Sequence, residues 1–205
     1  MPRYTRLSSF LFWFLCLGVA LASFRFLAGG VEVVMNHVAY HATERTVAFF
    51  AHVILGSLAL MLLPFQFNRT LRSRRPALHR WMGRAYGLAI LLAGIGGGLM
   101  ALNTTAGPMA AWGFGLLAPA WIVTTAVAIW YAMRGEIVQH RRWIIRSAAL
   151  TFAAVTLRLE LPLLAVTVGI ETGYPIVAWL CWVPNMIWAE WYLGRAKRRP
   201  TALPA

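Results

Sequence analysis

Acidic residues are almost missing from this chain. Of its 205 residues only six are acidic, and none of these is aspartate, against 19 Lys plus Arg. The lack of aspartate removes the Ser-His-Asp constellation. There is no Gly-x-Ser-x-Gly elbow, no phosphate-cradling glycine loop and no Cys-x-x-Cys. An enzyme of the soluble type is therefore not indicated, and whether the chain is an enzyme at all stays open. Only two cysteines occur, Cys16 and Cys181, both inside apolar stretches. They read as small buried residues, which excludes a disulfide framework and gives no sign of a thiolate site.

What the chain has instead is hydrocarbon. Hydrophobic residues make up 60%, charged residues 12%, and the mean hydropathy is +0.65. Apolar runs cover residues 5–28, 47–67, 81–102, 110–133, 143–169 and 175–193. A bilayer's hydrocarbon takes about 20 apolar residues as helix. The sequence thus predicts an all-α, polytopic membrane helix bundle in one integral membrane domain, 1–205, with six transmembrane helices.

The formal charge of +13 has to be read by location. Arg3 and Arg6 precede the first run. Arg69, Arg72, Arg74, Arg75 and Arg80 fill the second junction, and Arg134, Arg141 and Arg142 the fourth. Arg195, Lys197, Arg198 and Arg199 lie in a basic tail, 194–205. The alternate junctions hold one arginine, Arg45, and three of the six acids. Short loops rich in Lys and Arg stay in the cytoplasm, which predicts both termini inside and a cytoplasmic (inner) membrane location. The basic balance is then topology, and no soluble domain exists to bind nucleic acid. Arg3, Arg6 and the run 10–21 also resemble a cleavable signal peptide. The apolar stretch continues through Phe24, Phe26 and Leu27, however, and removal would upset the arginine parity, so a retained first helix is expected.

Gly87, Gly94 and Gly98 make a small face for close helix approach, with Gly96 and Gly97 expected to add flexibility. Trp81, Trp112, Trp143 and Trp191 fall at interfaces. Residues 80–88 and 142–150 share the frame Arg-Trp-x-x-Arg-small-x-x-Leu, each opening the second helix of a hairpin. The second to fifth spans read as two like-oriented hairpins and a four-helix core.

Several ordered motifs carry a family resemblance. They are His52-x-x-x-Gly56-Ser57-x-Ala59-Leu60, Pro64-Phe65-Gln66-Phe67 and Leu78-His79-Arg80-Trp81-Met82-Gly83-Arg84-x-Tyr86. His140-Arg141-Arg142-Trp143-x-x-Arg146, Thr156-Leu157-Arg158, Trp179-x-x-Trp182-Val183-Pro184-Asn185 and Ala189-Glu190-Trp191 follow. Together they resemble bacterial membrane proteins of domain-of-unknown-function family 2306, over residues 47–193. The resemblance implies a multi-pass membrane protein and supplies no activity.

Ionisable residues within spans are the functional lead, because they are costly in lipid and turn toward a partner or cavity. His52, Arg158 and Glu160 fall at a similar outer depth, with Arg25 near them. His79, Arg84, His140, Arg146 and Glu190 form a second group on the inner side. His52 and Arg158 are expected to meet in a cavity between the second and fifth helices, with Glu160 at its rim. Glu190 is expected to pair with Arg84 or Arg146. Charge pairing that staples helices together accounts for the same clusters without any function. If the second helix starts early, His37, His41, Glu44 and His52 share one face, and His37, His41 and Glu44 have spacing able to hold a metal ion; a solvated polar face explains them equally.

Two function classes fit. One is a cytochrome b-like redox protein with haem b clamped by His79 and His140 on one side, and by His52 with His37 or His41 on the other. Arginines would hold the propionates, and quinone or another redox partner would exchange electrons. The alternative is a transporter or lipid-handling protein using Arg158 and Glu160 as a charge pair, or a non-catalytic assembly subunit that needs only the packing motifs. The topology has a direct expectation. In a cell-surface labelling experiment Thr104→Cys reacts with an impermeant maleimide and Ser73→Cys does not; the reverse pattern overturns the map.

Overall fold

The computed structural model describes residues 3–198, and every regular element among them is helical. Of the expected basic tail, 199–205 lie outside the described residues. The helices are α1 (Arg3–Ala22), α2 (Thr46–Gln66), α3 (Pro76–Leu102) and α4 (Pro108–Met133). They are followed by α5 (Ile137–Thr151), α6 (Ala153–Val168), α7 (Ile170–Leu180) and α8 (Val183–Arg198). Five stretches are long and apolar enough to cross a membrane: Leu7–Gly29, Thr46–Gln66, Pro76–Leu102, Pro108–Met133 and Ile137–Val168.

The sixth expected span is not one long helix. It is delivered as α7 and α8, which meet at Cys181 and Trp182. Pro184 is the cause: it has no N–H, and its ring excludes a bond to the carbonyl four residues earlier. The fifth span is interrupted too, at Phe152 between α5 and α6. The two breaks are joined by one amide. Asn185 donates to Cys181 O (2.9 Å), Ala149 O (3.2 Å) and Thr156 Oγ1 (3.2 Å), and Thr156 donates to Cys181 O. Backbone acceptors freed in a lipid-facing bundle must find such partners inside the protein.

Proline starts helices as well as breaking them. Pro76 and Pro108 stand at the first positions of α3 and α4, where a missing N–H costs nothing. Gly107, at φ +88, supplies the left-handed residue that turns the chain into α4.

Small residues set the packing. A Cβ on Gly94 would stand 2.7 Å from Ile122, and one on Gly87 would run into Ile129, so α3 and α4 interlock in a steady antiparallel register. Gly113 meets Ala178 of α7 in the same way, at 2.8 Å. Gly96 and Gly97, expected to loosen α3, are instead holes that admit α2: a Cβ on Gly96 would lie 2.5 Å from Ala48 O. The first span joins the bundle through Cys16 and Ala20, both fully buried, and through Phe12 stacked on Phe152.

The two copies of the repeated frame adopt one local geometry. Arg84 lies 4.9 Å over Trp81, and Arg146 lies 4.7 Å over Trp143.

At the centre of the bundle five polar side chains close on one another. Tyr86 Oη bonds Ser147 Oγ (3.0 Å) and Thr151 Oγ1 (2.6 Å), Trp121 donates to Thr151 Oγ1 (2.8 Å), and Thr125 bonds Ser147 (2.7 Å). All five are buried. One assignment satisfies each hydroxyl: Thr125 donates to Ser147, Ser147 to Tyr86, Tyr86 to Thr151, and Thr151 to the Ser147 carbonyl. Interhelical bonds of this kind in a membrane average about 0.6 kcal/mol each. Tyr86→Phe removes the bridging oxygen and is expected to lower stability by about 1–2 kcal/mol in a detergent unfolding titration; unchanged stability would show that the knot is ornamental.

Candidate functional site

The bundle has an arginine-rich end, holding the junctions 67–75 and 134–136, and an opposite end covered by residues 30–45. Each end carries histidines, and the structure treats them alike.

At the arginine-rich end, His140 of α5 places Nδ1 2.8 Å from Ala128 O of α4. A carbonyl oxygen only accepts, so Nδ1 carries the proton and Nε2 keeps its lone pair. His79 of α3 has a buried Nδ1 with no hydrogen-bond partner. It lies within electrostatic reach of His140, Arg72 and Arg80. Glu190 of α8 forms a two-pronged pair with Arg146: Nε to Oε1 at 2.5 Å and Nη2 to Oε2 at 2.9 Å. Arg84 is not part of that pair and rests on Trp81 instead.

At the opposite end, His52 stands in a π-turn, Ala51–Leu55, within α2. The wide turn pushes its ring onto α3, where Nδ1 meets Ala93 O at 2.9 Å. The ring lies against Gly97, on which a Cβ would be 2.6 Å from Nδ1. His52 is thus packed on α3 rather than facing a cavity between the second and fifth spans, although Arg158 is within electrostatic reach of it. Above His52 sits His41, 2% exposed, with its ring 4.0 Å from that of Tyr40 and its Nδ1 unpartnered. His41 and His52 are also within electrostatic reach of each other.

The covering segment is held down by Tyr40, whose hydroxyl bonds Thr104 Oγ1 (3.4 Å) and accepts from the Thr105 N–H (3.0 Å). His37 adds an edge contact to Tyr174, 5.3 Å between rings.

Three sequence expectations change here. Residues 37–52 do not form one helix: a 3-10 turn, Asn36–Val38, precedes the short helix Tyr40–Glu44, and the chain bends at Arg45 (φ −139, ψ 48) before α2. His37, His41, Glu44 and His52 therefore do not share one helical face. Glu44 pairs with Arg45 at 3.0 Å, and among the described residues no three His, Cys, Asp or Glu converge as a metal set. Arg158 and Glu160 form no ion pair; the three among the described residues are Arg45–Glu44, Arg134–Glu136 and Arg146–Glu190. Glu160 is within electrostatic reach of Cys181 instead, with one buried oxygen unpartnered.

Sequence reasoning missed the central knot. Its signal was available as uncharged hydroxyls, Thr125, Ser147 and Thr151, standing in apolar runs, but charge drew the attention.

A family model described as Predicted membrane protein (DUF2306) matches residues 49–193. Comparison with curated proteins gave no match, and comparison with solved structures gave none.

Burial, and after it the Arg45 cation, hold the His41 imidazole below the usual histidine range, with Glu44 acting the other way. A lowered pKa means that the opened segment binds more protons than the closed one. Closure by His41 is therefore complete above about pH 6.5 and weakens as pH falls below it. Hydrogen exchange across 36–45, corrected for the intrinsic rate, should rise on acidification in the wild type and much less in His41→Gln. A pH-independent wild type would contradict this.

Proposed function

From the premise that the chain belongs to that membrane-protein family, we propose that it is a haem-binding membrane redox protein of the b type. The two haem sites lie at opposite ends of the bundle. His79 and His140 hold one, and His41 and His52 hold the other. A single observation carries the reading. His52 and His140 each spend Nδ1 on a carbonyl of the neighbouring helix, which fixes the tautomer and leaves Nε2 as the ligating nitrogen. Each has within electrostatic reach a second histidine whose buried Nδ1 has no partner in the protein.

The donor chemistry fits a haem better than a bare metal ion. Two imidazoles at each end would suit haem iron, whereas the sets of three or four ligands that zinc uses are absent among the described residues. Arg72 lies near His79, and Arg158 near His52, both placed to meet propionates. A haem at such a site supplies one-electron transfer, and two of them would carry an electron between the two membrane faces, with a quinone as a suitable partner.

The rest is the work of the chain. The α3–α4 interlock holds Ala93 and Ala128 still, and these carbonyls orient the two rings. The segment 30–45 carries its own His41 buried and is held down by Tyr40 on Thr104 and Thr105. Arginine partition supports an orientation with the arginine-rich end in the cytoplasm and the covered end outside a cytoplasmic membrane.

The test is absorbance of protein purified in detergent from haem-replete cells. The wild type should show a Soret band, and His52→Ala and His140→Ala should each remove roughly half of it, one site of two. A colourless wild type, or a band untouched by either substitution, ends the proposal.

A further inference from the structure

Toward the covered end, two guanidinium groups stand at hydrocarbon depth with no acid on either. Counted from the middle of each membrane-crossing stretch at about 1.5 Å per residue, His52 lies roughly 6 Å, Arg158 roughly 8 Å and Arg25 roughly 10 Å toward the covered end. The hydrocarbon reaches about 15 Å from the midplane, so all three lie beneath the headgroups. The turn Ser23–Arg25 packs on the π-turn that carries His52. Arg158 is within electrostatic reach of both His52 and Arg25.

An arginine at that depth is expensive unless it snorkels outward or finds an anion. Neither one snorkels. The first and fifth spans both run toward the covered end, yet Arg158 Nη1 donates back to Ala154 O (3.0 Å) and Arg25 Nη1 back to Ala22 O (3.2 Å), about one turn deeper in each case. A helix carbonyl satisfies an N–H but neutralises no charge. Neither arginine belongs to any of the three ion pairs among the described residues, and Glu160, two residues beyond Arg158, pairs with neither. Two like charges within electrostatic reach of each other, with no acid on either, call for a counter-ion from outside the chain.

The exposure of Arg25 says where it comes from: the flank open to the bilayer. A free inorganic anion does not enter hydrocarbon, so the ligand brings its own acyl chains. We propose that Arg25 and Arg158 form an intramembrane site for the phosphate of an acidic phospholipid, with His52 at its edge. The guanidinium fork matches phosphate oxygens two at a time. The site shares Arg158 and His52 with the haem reading but takes a different ligand, and Arg25 belongs to it alone.

Native mass spectrometry of the full-length protein, taken from phosphatidylcholine vesicles doped with phosphatidylglycerol, tests it. The wild type should retain one phosphatidylglycerol in preference to phosphatidylcholine. Arg25→Gln and Arg158→Gln should each weaken that retention by about tenfold or more, while Arg74→Gln at the other end leaves it in place. Equal retention in wild type and in the two variants, or equal retention of the neutral lipid, overturns the site. Should Arg158→Gln fail to fold, Arg25→Gln on the exposed flank decides alone. Haem content measured on the same samples keeps the two readings apart, since lipid retention is scored without it.

Discussion

In hydrocarbon a polar group has no water to fall back on, and the Tyr86 hydroxyl shows how this chain answers. It sits at the meeting point of α3, α4 and α5 and draws Ser147, Thr151, Thr125 and Trp121 into one closed set. Each donor has an acceptor, so the knot is neutral, dry and complete. It also fixes the mutual rotation of three helices. The α3–α4 register set by Gly87 and Gly94, and hence the positions of the Ala93 and Ala128 carbonyls, follow from that rotation.

Moving away from the centre, satisfaction becomes incomplete in an ordered way. The breaks in the fifth and sixth spans are stitched by Asn185 and Thr156, and Arg146 is answered by Glu190. Toward the ends the account no longer closes. His41, His79 and Glu160 keep buried atoms without partners, and Arg25 and Arg158 keep charges without counter-charges. Such groups are costly in lipid, and the proposed haem and phospholipid are ligands that would complete them. His52 and His140, each with one ring nitrogen already oriented, carry the haem proposal, and Arg25 with Arg158 carries the phospholipid one.

Much of the architecture was legible in the sequence because lipid permits so few solutions. The all-helical fold, the apolar spans and the small faces followed from run length and glycine spacing. A partner for Glu190 in Arg84 or Arg146 followed from depth, and the structure makes it Arg146. The failures share a cause. Depth places residues in a layer but does not say which way they point, and the Arg158–Glu160 charge pair of the transport alternative does not form. Helical spacing grouped His37, His41, Glu44 and His52 on one face, and the bend at Arg45 undid it. The π-turn at Ala51–Leu55 leaves no mark on apolar periodicity, yet it alone turns His52 onto α3. Gly96 and Gly97 were expected to be flexible because their partner, the backbone of α2 at Ala48, carries no side-chain signal.

The central claim is that the open histidines at both ends are completed by one kind of ligand. Low-temperature electron paramagnetic resonance of the oxidised, purified protein tests it directly, because axial bis-imidazole iron gives a low-spin ferric signal that no other content of this chain can produce. The account predicts such a signal in the wild type, with two components that respond separately to His52→Ala and His140→Ala. A wild type carrying no low-spin ferric signal, or one whose signal is indifferent to both histidines, would contradict it.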